Sequence, residues 1–262
     1  MKNTEKRDQQ IKQWIKEAAE KLKEYMNEEL TIEEKTDPQD LVTNVDKSIE
    51  QFLVDKIRTH YPDEEIVSEE GFGDTLTNLD GIVWFLDPID GTTNFITQRE
   101  NFAIMIAVYE DGVGQMGYVY DVMKDCLYYG IKDKGAYRNG EKLPSAKDRP
   151  LEKGVFASST HLMTKDEYKN VRDIANTTLG VRMLGSAGLE ICQVASQKAV
   201  VYMASILSPW DIAPGKVIAE EVGLVSTSFE GETLDLMKNN RAIFATPEAH
   251  RQIMDKLKQQ DN

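Results

Sequence analysis

Trp84-Phe85-Leu86-Asp87-Pro88-Ile89-Asp90-Gly91-Thr92-Thr93-Asn94-Phe95 is the most informative stretch of this 262-residue chain. The apolar run over residues 82–86 reads as a buried strand. It leads into two carboxylates, Asp87 and Asp90, after which Gly91 and two threonines open an amphipathic restart. Carboxylates at a strand end, in a loop before a helix, can share hard cations. Pro88 favours extended backbone at Asp87 and removes one backbone donor. Gly91-Thr92-Thr93 suits the opening of a helix whose free N–H groups face an anion. Taken singly, Asp-Pro and Asp-Gly are ordinary turn chemistry, so the case depends on what joins them.

Upstream, Ile11, Trp14, Ile15, Ala18, Ala19, Leu22, Tyr25 and Met26 recur at helical spacing, which predicts an amphipathic helix over residues 6–29. Thr36-Asp37-Pro38 breaks the pattern. Val45, Ile49, Phe52, Leu53 and Ile57 share a face of a second helix, with Asn44 or Asp46 as its cap and Tyr61-Pro62-Asp63 as its stop. Downstream, residues 102–109, 115–120, 126–130 and 135–140 read as successive strands of an antiparallel meander. The second half alternates: strands over 155–158, 181–184, 199–203 and 242–245, helices over 165–176, 212–222 and 247–259, and a further helix ending near Lys198. The expected fold is α+β, a single unit over 1–262 with sub-regions 1–145 and 146–262 and a seam over residues 144–154.

Composition narrows the function. Lys and Arg total 31 against 45 Asp and Glu, a net charge of −14. That field repels nucleic-acid backbones, and no dense basic cluster offsets it. The two cysteines, Cys126 and Cys192, fit a reducing cytosol rather than a disulfide framework. The first eleven residues lack a signal-like apolar core, and no apolar run is long enough to span a bilayer. His60, His161 and His250 have no zinc-ligand spacing and read as surface or packing residues.

Further acids join the central pair. Ser68-Glu69-Glu70-Gly71 supplies two carboxylates, and Trp210-Asp211-Ile212-Ala213-Pro214-Gly215 supplies one at a strand-to-helix junction, where Asp211 also suits a helix cap. No Lys or Arg falls between Glu70 and Gln98 or between Ala199 and Gly215. A phosphate at the loop over residues 87–92 would need metal ions to supply positive charge.

On these residues the chain resembles the inositol monophosphatase family of Mg²⁺-dependent, lithium-sensitive phosphatases. The resemblance is carried by the segments over 87–95 and 210–215, with Leu41-Val42-Thr43-Asn44-Val45-Asp46 and Ser68-Glu69-Glu70-Gly71 in support. It implies a layered αβαβα sandwich and a cytoplasmic homodimer. It further implies two to three Mg²⁺ ions per site and direct attack of water on a small soluble phosphate ester. The roles follow position by position. Glu69, Asp87 and the Ile89 carbonyl match the ligands of a first metal; Asp87, Asp90 and Asp211 match those of a second. Asp46 and Thr92 match a water-activating dyad, with Glu69 reaching a third metal through solvent. The Gly91 and Thr92 amides match a phosphate cradle, and Gly185, Ser186 and Ala187 with Asp90 match the substrate pocket.

Two departures bear on specificity. Inositol-specific members carry Glu where this chain has Ala204, which points toward broader use, including NADP or fructose 1,6-bisphosphate. Pro214 replaces a small residue, which predicts a different helix start near Asp211. Haloacid-dehalogenase phosphatases use Asp-x-Asp-Gly-Thr, whereas Pro88 and Ile89 both separate the two aspartates here. A non-catalytic relative would show a degraded acid set, yet Glu69, Asp87, Asp90, Thr92 and Asp211 all stand.

Overall fold

A computed structural model describes residues 4–26, 31–34 and 41–258. In chain order the elements are α1 (Thr4–Tyr25), β1 (Ile32–Glu34), β2 (Leu41–Thr43), α2 (Asn44–His60), β3 (Glu65–Ser68), β4 (Ile82–Asp90), α3 (Thr92–Thr97), β5 (Ala103–Glu110), β6 (Val113–Asp121), β7 (Cys126–Ile131), β8 (Gly135–Arg138) and β9 (Glu141–Lys142). The second half adds β10 (Phe156–Ser158), α4 (Thr160–Thr164), α5 (Lys169–Ala175), β11 (Val181–Arg182), α6 (Ala187–Ala195), β12 (Val201–Leu207), α7 (Pro209–Glu221), β13 (Val225–Ser228), β14 (Asn240–Ala245) and α8 (Pro247–Lys258).

Strands β3 to β9 form a seven-stranded sheet in sequence order, and a five-stranded sheet runs β11-β10-β12-β14-β13. The period-two alternation of side chains assigns each sheet face to a layer. On β4, Trp84 and Leu86 pack with α1 and α2, while Val83 and Phe85 face α6 and α7. On β12, Tyr202 and Ala204 face that same middle layer, while Val201 and Met203 pack with α4, α5 and α8. The order is therefore αβαβα. The continuous apolar runs of β4 and β12 follow from burial on both faces.

Helix α7 fills the middle layer closely. A Cβ at Gly117 on β6 would lie 2.2 Å from the Pro214 carbonyl oxygen. Pro214 sits inside α7, which begins before Asp211, at Pro209. Its ring removes one amide bond within the second turn; the helix nevertheless continues to Glu221, packed between the sheets.

The helix pair and the meander match the sequence expectation, and several local details differ. Thr43 caps α2, accepting from the Val45 and Asp46 amides, and the Asp46 carboxylate returns a bond to the Thr43 amide. Asn44 and Asp46 therefore lie within the first turn. Residues 165–176 do not form one helix: Lys165 is extended, ending α4, and α5 starts only at Lys169. Strands β3 and β13 were not legible as separate elements. The tail of the first helix over 27–29 and the break at Thr36-Asp37-Pro38 lie outside the described residues.

Candidate active site

Strand β4 carries Asp87, Ile89 and Asp90. It pairs with β5 through Asp87 and again at Asp90, with an irregularity between them that turns both carboxylates to one side. Gly91 then adopts φ 96°, a left-handed conformation that favours glycine, and caps α3. Phe95 is the first residue of that helix whose amide bonds back along it, to the Gly91 carbonyl at 3.0 Å. The short parallel strand β3 sets Ser68 beside Leu86, which brings the following Glu69 alongside Asp87.

One carboxylate oxygen each from Asp87, Asp90 and Asp211 lies within 4.8 Å of the others. Asp211 comes from the far end of the chain, on the first turn of α7, with Ser208 as the cap before it. Its Oδ2 accepts from the Ser208 amide at 2.7 Å. Asp90 is held by α6: Oδ1 accepts from the Ala187 amide at 2.9 Å, and Oδ2 from Ser186 Oγ at 2.5 Å and the Gly188 amide at 2.8 Å. A Cβ at residue 188 would meet Met105 Sδ at 2.1 Å, so a glycine is needed for this approach. Asn94 Nδ2 donates to the Leu184 carbonyl at 2.6 Å and draws the segment over 185–187 against the β4–α3 loop.

The electrostatics are those of an anionic cluster without a counter-charge. Burial pushes the Asp87 carboxyl well up, and the charges acting on it, Glu69, Asp90 and Asp211, are all acidic. Asp211 is pushed up by burial and then by Asp90 and Glu69. Asp90 is pushed up to about 6 by burial, against the opposing hydrogen bonds from α6. Bringing like charges together in a buried site is unfavourable unless a cation or a proton joins them. A divalent cation fits this donor set, since hard oxygen ligands suit Mg²⁺.

Asp46 lies beside the cluster and is fully buried. Thr92 Oγ1 stands 3.1 Å from both Asp46 Oδ1 and the Ile89 carbonyl oxygen. One hydroxyl proton can serve only one of these acceptors at a time. Thr92 itself is half-buried. All eleven residues singled out in the sequence therefore fall at one place, around the junction of β4, α3, α6 and α7.

The profile of the inositol monophosphatase family matches residues 3–262. The chain belongs to the inositol monophosphatase family. It is a phosphoric monoester hydrolase of that metal-dependent family. Inositol-1-monophosphatase of Bacillus subtilis (strain 168) is 39% identical over 258 residues, 97% of each chain. Inositol monophosphatase-II from Staphylococcus aureus MSSA476 superposes with a TM-score of 0.86 at 37% identity, covering 94% of this chain and 91% of that one. An IMPase/NADP phosphatase complexed with Mg²⁺ and phosphate superposes at 0.88 and 28% identity, covering 96% and 94%.

Two buried acids in this neighbourhood escaped the motif reading. Glu50 on α2 accepts from Ser68 Oγ, the Glu70 amide and the Phe72 amide, and so fixes the loop that carries Glu69. Glu190 on α6 is 1% exposed and is pushed up to about 7 by burial. Glu190 stands in an otherwise apolar helical stripe, and Glu50 follows Asp46 by one turn on the buried face of α2; an acid at such a position is the signal that marks it. The histidines match the expected packing roles: His161 Nδ1 pairs with Ser205 Oγ, and His250 Nε2 with Thr227 Oγ1.

Proposed function

We propose that the chain hydrolyses a small, soluble phosphate monoester with Mg²⁺, through the acids gathered around β4. The observation that carries this is the trio Asp87, Asp90 and Asp211 within 4.8 Å, with no basic group among the charges that shift them. Glu69, Asp87 and the Ile89 carbonyl would hold one ion, and Asp87, Asp90 and Asp211 a second, with Glu69 reaching a third through solvent. When bound, Mg²⁺ supplies positive charge for a phosphoryl group and lowers the pKa of the attacking water.

The chain's own groups do the rest. With the Ile89 carbonyl engaged elsewhere, the Thr92 hydroxyl is left to donate to Asp46 Oδ1, 3.1 Å away. Thr92 Oγ1 then presents its lone pairs to the attacking water and Asp46 stabilises the proton passed along. The Gly91 and Thr92 amides, ahead of the first bonded amide of α3, hold phosphate oxygens. Gly185, Ser186, Ala187 and Asp90 flank the departing alcohol, beside a cavity of about 240 Å³.

The first substrate class is an inositol-monophosphate-type ester; NADP and fructose 1,6-bisphosphate remain the broader reading, supported by Ala204 in place of Glu. Ala204 is fully buried, and Tyr202 and Leu207 are the residues of β12 that line the cavity. We also propose that the chain works as one unit, because α6 and α7 from its second half pack on the first sheet. A cytoplasmic homodimer, acting without nucleic acid or membrane, accords with the buried free thiols Cys126 and Cys192 and the net charge of −14. No helix among the described residues is long and apolar enough to cross a membrane. Phosphate release from a panel of esters with and without Mg²⁺ tests the function; undiminished release in excess chelator would overturn it.

A further inference from the structure

The cavity beside Asp90 and Asp211 has a polar wall that the phosphate chemistry leaves unused. Glu190 and Ser159 line it together with Tyr202. Glu190 Oε1 accepts from the Leu184 amide at 2.5 Å, whereas Oε2 is buried without a hydrogen-bond partner. Ser159 Oγ is likewise buried and unpaired. The Tyr202 hydroxyl makes no hydrogen bond among the described residues, although the side chain is 3% exposed.

Buried polar atoms in native proteins are nearly always paired, because an orphan pays its desolvation without a compensating hydrogen bond. A structural role explains the first Glu190 oxygen, which anchors the loop before α6, but not the second. Two such orphans in the lining of one cavity, with the Tyr202 hydroxyl beside them and Asp90 and Asp211 in the same lining, form instead a polar wall suited to the hydrogen-bonding groups of a ligand. The set holds one pure acceptor, if Glu190 is ionised, and two hydroxyls that both donate and accept. A second phosphate matches it poorly, because the Glu190 carboxylate offers it no donor. Adjacent hydroxyls of a polyol match it well, each donating to one wall group and accepting from another.

We infer that Glu190 and Ser159 are specificity residues that bind the hydroxyls of a polyhydroxylated leaving alcohol. This rests on the phosphatase reading above and deepens it. It also alters the meaning of Ala204: losing a carboxylate there does not leave the cavity without an acid, because α6 supplies one from the middle layer that Ala204 faces.

The test compares two esters, myo-inositol 1-phosphate and p-nitrophenyl phosphate, which lacks alcohol hydroxyls. Glu190→Gln keeps an acceptor for the Leu184 amide and turns a donor toward the cavity. It is expected to lower the ratio of kcat/KM values, polyol ester over nitrophenyl ester, by at least about tenfold, through KM for the polyol ester. Ser159→Ala is expected to lower the same ratio about threefold, and it stands in if Glu190→Gln fails to fold. A ratio unmoved within twofold in the folded variants, or a fall in kcat shared equally by both esters, would overturn the inference. If the wild type shows no Mg²⁺-dependent release from either ester, the phosphatase reading itself fails, which is a distinct result.

Discussion

Glu50 and Asp87 are both buried carboxylates, 0% and 1% exposed, yet their surroundings differ in kind. Glu50 accepts three hydrogen bonds, at 2.6, 2.7 and 3.0 Å, from Ser68, Glu70 and Phe72. Asp87 accepts one amide, from Ile89 at 3.0 Å, and otherwise faces Glu69, Asp90 and Asp211. Burial raises both pKa values. The difference lies in what compensates it: donors built into the fold for Glu50, and a missing positive charge for Asp87. Hydrogen-bond accounting thus separates an acid that holds the site from an acid that belongs to its chemistry.

Removing the cation is expected to have the largest effect. Excess EDTA should take phosphate release to background, with recovery on adding Mg²⁺, measured by phosphate release over time. Asp87→Asn should come next. It keeps an oxygen for the Ile89 amide but removes a shared anionic ligand, so kcat should fall by about 10³-fold or more. In chelator its Tm should equal or exceed that of the wild type, because one repelling charge is gone. Glu50→Gln should do the reverse. Its stability should fall by about 1–3 kcal/mol in urea titration, with a smaller activity loss through the loop carrying Glu69. If both substitutions lower stability alike, the contrast between the two acids is wrong.

The apolar stripes of α1 and α2, the meander and the acids over 87–90 were legible because each is a local pattern in the chain. Most of what stayed hidden depends on contacts distant in sequence. Strand β3 is a short segment recognisable only by its parallel pairing with β4. The anchoring of Asp90 by Ser186, Ala187 and Gly188 joins residues almost a hundred positions apart. Thr43 displaced Asn44 as cap because its hydroxyl and the Asp46 carboxylate satisfy each other's backbone amides, although by residue type alone Asn is the better cap. The roles at 46, 69, 92 and 211 came from resemblance to a family; spacing alone left turn and cap readings open for Asp87, Asp90 and Asp211.

Smaller effects sharpen the picture further. Thr92→Ala should reduce kcat by about 10²-fold with Mg²⁺ affinity retained, since it removes a proton path and no ligand. The smallest effect expected is a pH dependence of stability without metal. Asp87, Asp90 and Asp211 keep protons in the fold at pH values where the unfolded chain has lost them. Their contribution is complete below about pH 4, the ordinary carboxylate value. It is lost as pH rises through the folded values, about 6 for Asp90. The Tm in chelator should therefore fall from pH 5 to pH 8, and added Mg²⁺ should raise it most at pH 8.

The central claim, that the acids around β4 are a metal site, is most directly tested by anomalous diffraction from crystals grown with Mn²⁺ and phosphate. An anomalous peak in coordination contact with Asp87, Asp90 and Asp211, with phosphate over the Gly91 and Thr92 amides, is the expected result. Strong Mn²⁺ peaks elsewhere with none among these three carboxylates, at a concentration that sustains full activity in solution, would contradict it.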